Sequence, residues 1–171
     1  MATDNKYDRQ LRLWGARGQK ALSESSILLV NADGVGTETL KNLVLPGVGK
    51  VTVMDDRDVS LQDLGTNFFV SADRVGESRA TVVRDLLCEL NPDVKGEAVT
   101  SSVVRVLQQN DEEVALFFRS FNLVIAANLP EEQLLPLANR CATLRLPLIA
   151  VRAYGFIGTC RLQYARHEVV E

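Results

Sequence analysis

Ser26-Ile27-Leu28-Leu29-Val30-Asn31-Ala32-Asp33-Gly34-Val35-Gly36 is the stretch on which the fold turns. An apolar strand, Ile27 to Val30, runs into a short turn, and a helical pattern starts near Thr37. Strand, glycine-containing turn and helix in that order are the frame of a nucleotide-binding turn. The three glycine positions of a G-x-G-x-x-G loop are held here by Asn31, Asp33 and Gly36, with an additional Gly34. The first glycine normally lets the turn tighten, and the second lets the backbone touch phosphates. Asn31 puts a side chain into that turn, and Asp33 puts a carboxylate where a polyanion would lie. Like charges a few ångströms apart in a half-buried site cost on the order of several kcal/mol. The helix dipole returns only about 1 kcal/mol. The stretch therefore reads as a nucleotide-binding frame that does not take nucleotide in the usual way.

The rest of the chain supports one domain built on that frame. Its 171 residues, 46% of them hydrophobic, are enough for one well-filled core. A net charge of −3 gives no global attraction to nucleic acid or to an anionic membrane, so neither is expected as a partner. The three cysteines, Cys88, Cys141 and Cys160, are far apart and form no C-x-x-C, which argues against a zinc site or a disulfide framework. No apolar leader or membrane-length apolar stretch is present, and the expected location is the cytoplasm or nucleus. His167 stands alone, without a metal or nucleophile pattern around it.

Periodicity assigns helix to the first 25 residues, with Gly15 and Gly18 as candidate breaks, and to 37–45, 75–90, 111–120 and 131–144. Strands are expected at 26–30, 50–54, 94–100, 123–127, 147–151 and 159–165, and 56–67 reads as a polar loop. Apolar strands alternating with helices predict a Rossmann-like α/β fold, a doubly wound and mainly parallel sheet covered on both faces. The organisation expected is an N-terminal helical segment, 1–25, ahead of the sheet domain, 26–171. The chain stops soon after its last strand without a closing helix, which reads as the front piece of a longer polypeptide.

Several segments together resemble the activating enzymes of ubiquitin-like modifiers, a group related to bacterial MoeB and ThiF. They are Tyr7-Asp8-Arg9-Gln10-Leu11-Arg12-Leu13-Trp14-Gly15, the block from Gly34 to Gly47, Asp55, Asn67-Phe68-Phe69, Val75 to Ala80 and Glu89-Leu90-Asn91-Pro92. In that family some members adenylate the modifier, and others are inactive partners that complete the enzyme. Set against the active pattern, Asp55 keeps the position that would take a ribose hydroxyl. Arg57 replaces a second aspartate, Thr66 a phosphate-clamping arginine, and Arg79 a lysine. The stretch Leu123 to Pro130 lacks the carboxylate that would hold magnesium. Each loss removes charge clamping, metal bridging or close backbone approach, all of which adenylyl transfer needs.

The resemblance thus implies a pseudo-adenylation domain without catalytic residues or a cofactor of its own. Its degenerate site comprises Asn31, Asp33, Gly34, Gly36, Asp55, Thr66 and Arg79. One residue keeps a role: the family's arginine at Arg9 reaches across a heterodimer to the phosphates of Mg-ATP bound by the adenylating subunit. A guanidinium suits that task because it stays charged and grips phosphate oxygens in a fork. The modifier would be met only through the assembled complex. Asn42 to Gly47, Asn67-Phe68-Phe69 and Arg152 to Gly158 place the resemblance nearest the non-catalytic subunits of the neddylation branch. The SUMO branch and the N-terminal half of single-chain ubiquitin-activating enzymes are the alternatives. An active adenylyltransferase, or a dinucleotide oxidoreductase using Asp55, is the competing reading from another class. A stand-alone binding scaffold is a third.

Overall fold

A computed structural model describes residues 6–167. Its strands are β1 (Ser26–Val30), β2 (Lys50–Met54), β3 (Lys95–Val99), β4 (Leu123–Ala127), β5 (Leu148–Tyr154) and β6 (Ile157–Gln163). They form one six-stranded sheet in the order β3-β2-β1-β4-β5-β6. All neighbouring pairs are parallel except β5 with β6. The chain order reverses between β1 and β4, the crevice where an open α/β sheet places its ligands.

Side chains alternate across β1 and so belong to two different cores. Ile27 and Leu29 join Val51, Val53 and the helices α2 (Gly34–Val44) and α4 (Arg79–Leu90) through Leu40, Val44, Val83 and Leu87. Leu28 and Val30 face the other way. They meet Val124 and Ala126, and side chains of α5 (Val103–Leu107), α6 (Asp111–Arg119) and α7 (Glu131–Leu144). The remaining helices are α1 (Asp8–Ser23) and the single turn α3 (Asp63–Thr66).

Two expectations need correction here. The sheet is covered on both faces only as far as the middle of β5. From Ala153 to Leu162 every residue is exposed, and β6 runs antiparallel. A two-residue turn with Gly155 at φ 53° joins the two strands, and a turn that short can join only antiparallel ones. The helix expected at 75–90 starts at Arg79 instead. Ser78 caps it, and Gly76, at φ 90°, belongs to a turn held by Val59. The segment 103–107 forms an unforeseen helix despite its β-branched residues, because the Ser102 hydroxyl accepts the Arg105 N–H and caps it.

Helix α1 breaks at Gly15 (φ 71°, ψ 176°), while Gly18 stays helical beneath Trp14. No residue of α1 is buried. Among the aromatic residues, Phe118 is buried and Phe68 is 90% exposed. Among the described residues, no helix is long and apolar enough to cross a membrane.

Candidate functional site

The altered turn sits at the carboxyl edge of the sheet, and a network of its own side chains fills it. Asn31 adopts φ 72°, a left-handed conformation that asparagine tolerates better than most residues. Its amide nitrogen donates to the Ala127 carbonyl at 2.7 Å, and its amide oxygen accepts from Arg79 at 2.7 Å. Arg57 donates to the same oxygen. Asn31 therefore ties β1 to β4 and to two arginines, rather than merely crowding the turn.

Asp33 caps α2. One carboxylate oxygen accepts the Gly36 N–H at 2.9 Å, and the other accepts from the Asn128 amide at 2.6 Å. A carboxylate thus already occupies the helix N-terminus that would otherwise attract phosphate. Gly34 is needed for a close approach, but what approaches is the chain itself. A Cβ built there would lie 2.0 Å from the Thr66 carbonyl oxygen. At Gly36 the corresponding neighbour is the Asn31 carbonyl, at 2.6 Å. Thr66 thus meets the glycine turn through its backbone, while its hydroxyl donates to the Gln62 carbonyl at 3.2 Å.

Arg79 is the hub. Its side chain is buried, and Nε and Nη2 donate to one oxygen of Asp55 at 2.9 and 2.6 Å. Nη1 donates to Asp63 at 2.8 Å. The same Asp55 oxygen accepts the Ala32 N–H at 2.8 Å, and its other oxygen accepts the Arg57 N–H at 3.0 Å. Asp63 in turn takes the Ser60 N–H at 2.8 Å and its hydroxyl at 2.7 Å. Burial opposes the Arg79 charge, but Asp55 and Asp63 outweigh it and hold its pKa above the ordinary value. Burial likewise opposes the Asp63 charge, but hydrogen bonds from Ser60 and Arg79 prevail and keep its pKa low.

The residues present do not fit a nucleotide held in the family's usual manner. Asp55, the ribose ligand of that pattern, is fully engaged by Arg79 and the Ala32 and Arg57 amides. Among the described residues, no group of three or more His, Cys, Asp and Glu side chains is placed to hold a metal ion. A cavity of about 230 Å³ remains at the strand-order reversal, bordered by Asn31, Asp55, Arg57, Asn128 and Gln133. The polar groups of Asn31, Asp55 and Asn128 already have partners within the chain.

Seven of the eight expected site residues meet here: Asn31, Asp33, Gly34, Gly36, Asp55, Thr66 and Arg79. The eighth, Arg9, does not. Helix α1 is anchored at the opposite, amino edge of the sheet, through the Pro46-Gly47 turn and the Asn91 turn that leads into β3. Five-residue strands at about 3.3 Å per residue put roughly 16 Å between the two edges. Arg9 is exposed, and its guanidinium has no ion-pair partner among the described residues, whereas nearby Arg12 pairs with Asp8 at 2.8 Å. Sequence reasoning missed Asp63. The only local signal was the spacing Ser60-x-x-Asp63, that of a reciprocal cap.

The chain matches the ThiF family over residues 7–169. It is 49% identical over 166 residues to the Nedd8-activating enzyme E1 regulatory subunit of Drosophila melanogaster, covering 97% of this chain and 31% of that protein. The Xenopus laevis protein of the same name is 45% identical over 168 residues, with 98% and 31% covered. The SUMO-activating enzyme subunit 1 of Xenopus laevis is more distant, at 34% over 166 residues, with 97% and 46% covered. The chain thus spans about a third of the length of the regulatory subunits it matches. Among solved structures, E. coli MccB with AMPCPP and MccA superposes with a TM-score of 0.78 at 16% identity, covering 95% of this chain and 49% of that one. PaaA superposes with a TM-score of 0.72 at 19% identity, over 88% and 47%. At such identities the likeness concerns the fold alone, and it agrees with the sheet order seen here. Profile, relatives and topology together assign the chain: it belongs to the ThiF family.

Proposed function

We propose that this chain is the non-catalytic, regulatory half of a heterodimeric activating enzyme for a ubiquitin-like modifier, serving the neddylation pathway. The observation that carries this reading is the division between the two edges of the sheet. At the carboxyl edge Arg79, Asp33 and the Thr66 carbonyl fill the chain's own nucleotide site. At the amino edge Arg9 stands exposed and far from that site. An arginine so placed can act only on something outside the chain. In this reading that is the triphosphate of Mg-ATP bound by the adenylating subunit, where a bidentate guanidinium contact suits the phosphate oxygens. The chain carries no nucleotide, metal or nucleophile of its own. It meets the modifier through the complex, takes no part in nucleic-acid or membrane binding, and works in the cytoplasm or nucleus. The names of the relatives support the neddylation branch over the SUMO branch, whose relative is less similar.

The test is calorimetry on the chain alone, followed by co-expression with an adenylating subunit. The chain alone should show no saturable heat with micromolar Mg-ATP or NAD. In the complex, Arg9→Ala should preserve assembly while modifier-dependent pyrophosphate exchange falls sharply. Saturable ATP binding by the chain alone, or unchanged exchange in the Arg9 variant, would refute the proposal.

A further inference from the structure

Tyr7 lies two residues before Arg9 and is held to the body of the domain from several directions. Its hydroxyl donates to the Asp93 carboxylate at 3.0 Å and accepts from the Asn91 amide nitrogen at 3.1 Å. Asn91 is fully buried and donates also to the Val44 carbonyl at 2.8 Å, so this anchor belongs to the core and not to a flexible surface. The ring of Tyr7 lies directly over Gly47. A Cβ on Gly47 would fall 2.7 Å from the ring, so the ring's seat exists only because that position is glycine. Lys6 adds an ion pair to Asp93 at 3.0 Å.

The other end of the same half-helix is tied to the same turn. Gly15 breaks α1, so the piece Asp8 to Trp14 has its own axis. Trp14 Nε1 donates to Gln19 Oε1 at 3.0 Å, and Gln19 Nε2 donates to the Pro46 carbonyl at 2.7 Å. The half-helix is thus strapped at both ends to Pro46-Gly47. Along its whole length it buries no side chain. Only Gln10 and Leu11 are half-buried on this piece, so the straps at its two ends do most to set where it points, and Arg9 sits in its first turn.

We infer that Tyr7, with Asn91 and Gly47 as its seat and Gln19 as the second strap, is a positioning residue that aims Arg9 out of the domain toward the partner's nucleotide. This rests on the trans role of Arg9 proposed above and adds what enforces it. Phosphate recognition by a guanidinium is directional, and a displacement of about 1 Å at a reacting centre costs on the order of a hundredfold in rate.

The experiment is a double-mutant cycle in the complex of the full chain with the adenylating subunit, reading pyrophosphate exchange against ATP and against modifier concentration. Tyr7→Phe keeps the ring and removes the hydroxyl bonds to Asp93 and Asn91. It should lower kcat/KM for ATP by about tenfold, leave KM for the modifier unchanged, and leave assembly intact. On top of Arg9→Ala it should cost less than about twofold more. Gln19→Ala should behave in the same way, and decides the matter if Tyr7→Phe fails to assemble. Full activity in Arg9→Ala overturns both the trans role and the strap. A loss in Arg9→Ala overturns the strap alone if Tyr7→Phe and Gln19→Ala are silent, or if their losses multiply fully with that of Arg9→Ala.

Discussion

Replacing Arg79 by methionine keeps the length and apolar stem of the side chain and removes the guanidinium. In the native structure that group makes four donor contacts: two to Asp55, one to Asp63 and one to Asn31. Asp55 and Asp63 are 5% and 7% exposed, so the variant leaves two carboxylates without their shared cation and away from water. Removing one partner of a buried ion pair costs about 3–5 kcal/mol. That is a large share of the roughly 5–15 kcal/mol available to a domain. With a urea slope of about 2 kcal/mol/M, a loss of about 4 kcal/mol moves the unfolding midpoint down by about 2 M.

The pH dependence gives a second, independent sign. In the native chain the folded pKa of Asp63 lies below its unfolded value. Its stabilising share is therefore present at neutral pH and fades as pH falls through the folded value. In Arg79→Met, Asp63 loses the contacts with Arg79 that help to hold its pKa down while burial still opposes its charge, so its folded value moves up. The variant consequently lacks much of the stability that Asp63 contributes at neutral pH, and that difference fades in acid. The gap between the two proteins should be widest near pH 7 and should shrink toward pH 4. Urea titrations followed by tryptophan fluorescence or circular dichroism at the two pH values measure this directly. A gap below about 1 kcal/mol at pH 7, or one that fails to narrow in acid, would show that Arg79 does not hold the carboxyl edge together.

Gly34→Ala should destabilise the domain by about 1–3 kcal/mol, because its Cβ would meet the Thr66 carbonyl at 2.0 Å. A thermal melt indistinguishable from the parent would mean that the 63–66 turn moves aside without cost. The thiols should separate by burial. Cys141 is buried and its thiol is pushed up to about 12, and burial also raises that of the half-buried Cys88. Cys160 lies exposed on β6. A chromogenic disulfide reagent at pH 8 should therefore label Cys160 in the folded protein and Cys141 only on unfolding. Rapid labelling of Cys141 under native conditions would contradict the packing of α7 on the sheet.

The fold could be read because its signals are local. The apolar runs at 27–30 and 123–127 are continuous as buried parallel strands require, 51–54 is interrupted only by Thr52, and Pro46-Gly47 and Asn91-Pro92 mark helix ends without ambiguity. The hairpin at 153–162 broke the pattern because its exposed apolar side chains look, in sequence, like those of a buried strand. The altered site was legible only as a series of losses. Asn31, Asp33, Thr66 and Arg79 each depart from the active pattern of the family the chain resembles, and the sequence shows each departure once that pattern is set beside it. What these residues do for one another could not be read, since Arg79 meets Asp63 across 16 positions, Asp55 across 24 and Asn31 across 48.

Those contacts change what the departures mean. If each replacement merely weakened a nucleotide site, restoring one would restore some affinity. The network implies otherwise. Asp33, Asp55 and Asp63 against Arg57 and Arg79 leave three negative charges facing two positive ones, an excess of negative charge before any ligand arrives. A triphosphate entering there would add several negative charges beside Asp33 and would find both cations engaged. Arg79→Lys would free part of Asp55 but leave Asp33 on the helix N-terminus and the Thr66 carbonyl against Gly34. Asp33→Gly would clear the helix but leave Asp55 bound to Arg79. The edge is stable because the groups that would have served a ligand now serve each other, and no single reversal reopens it.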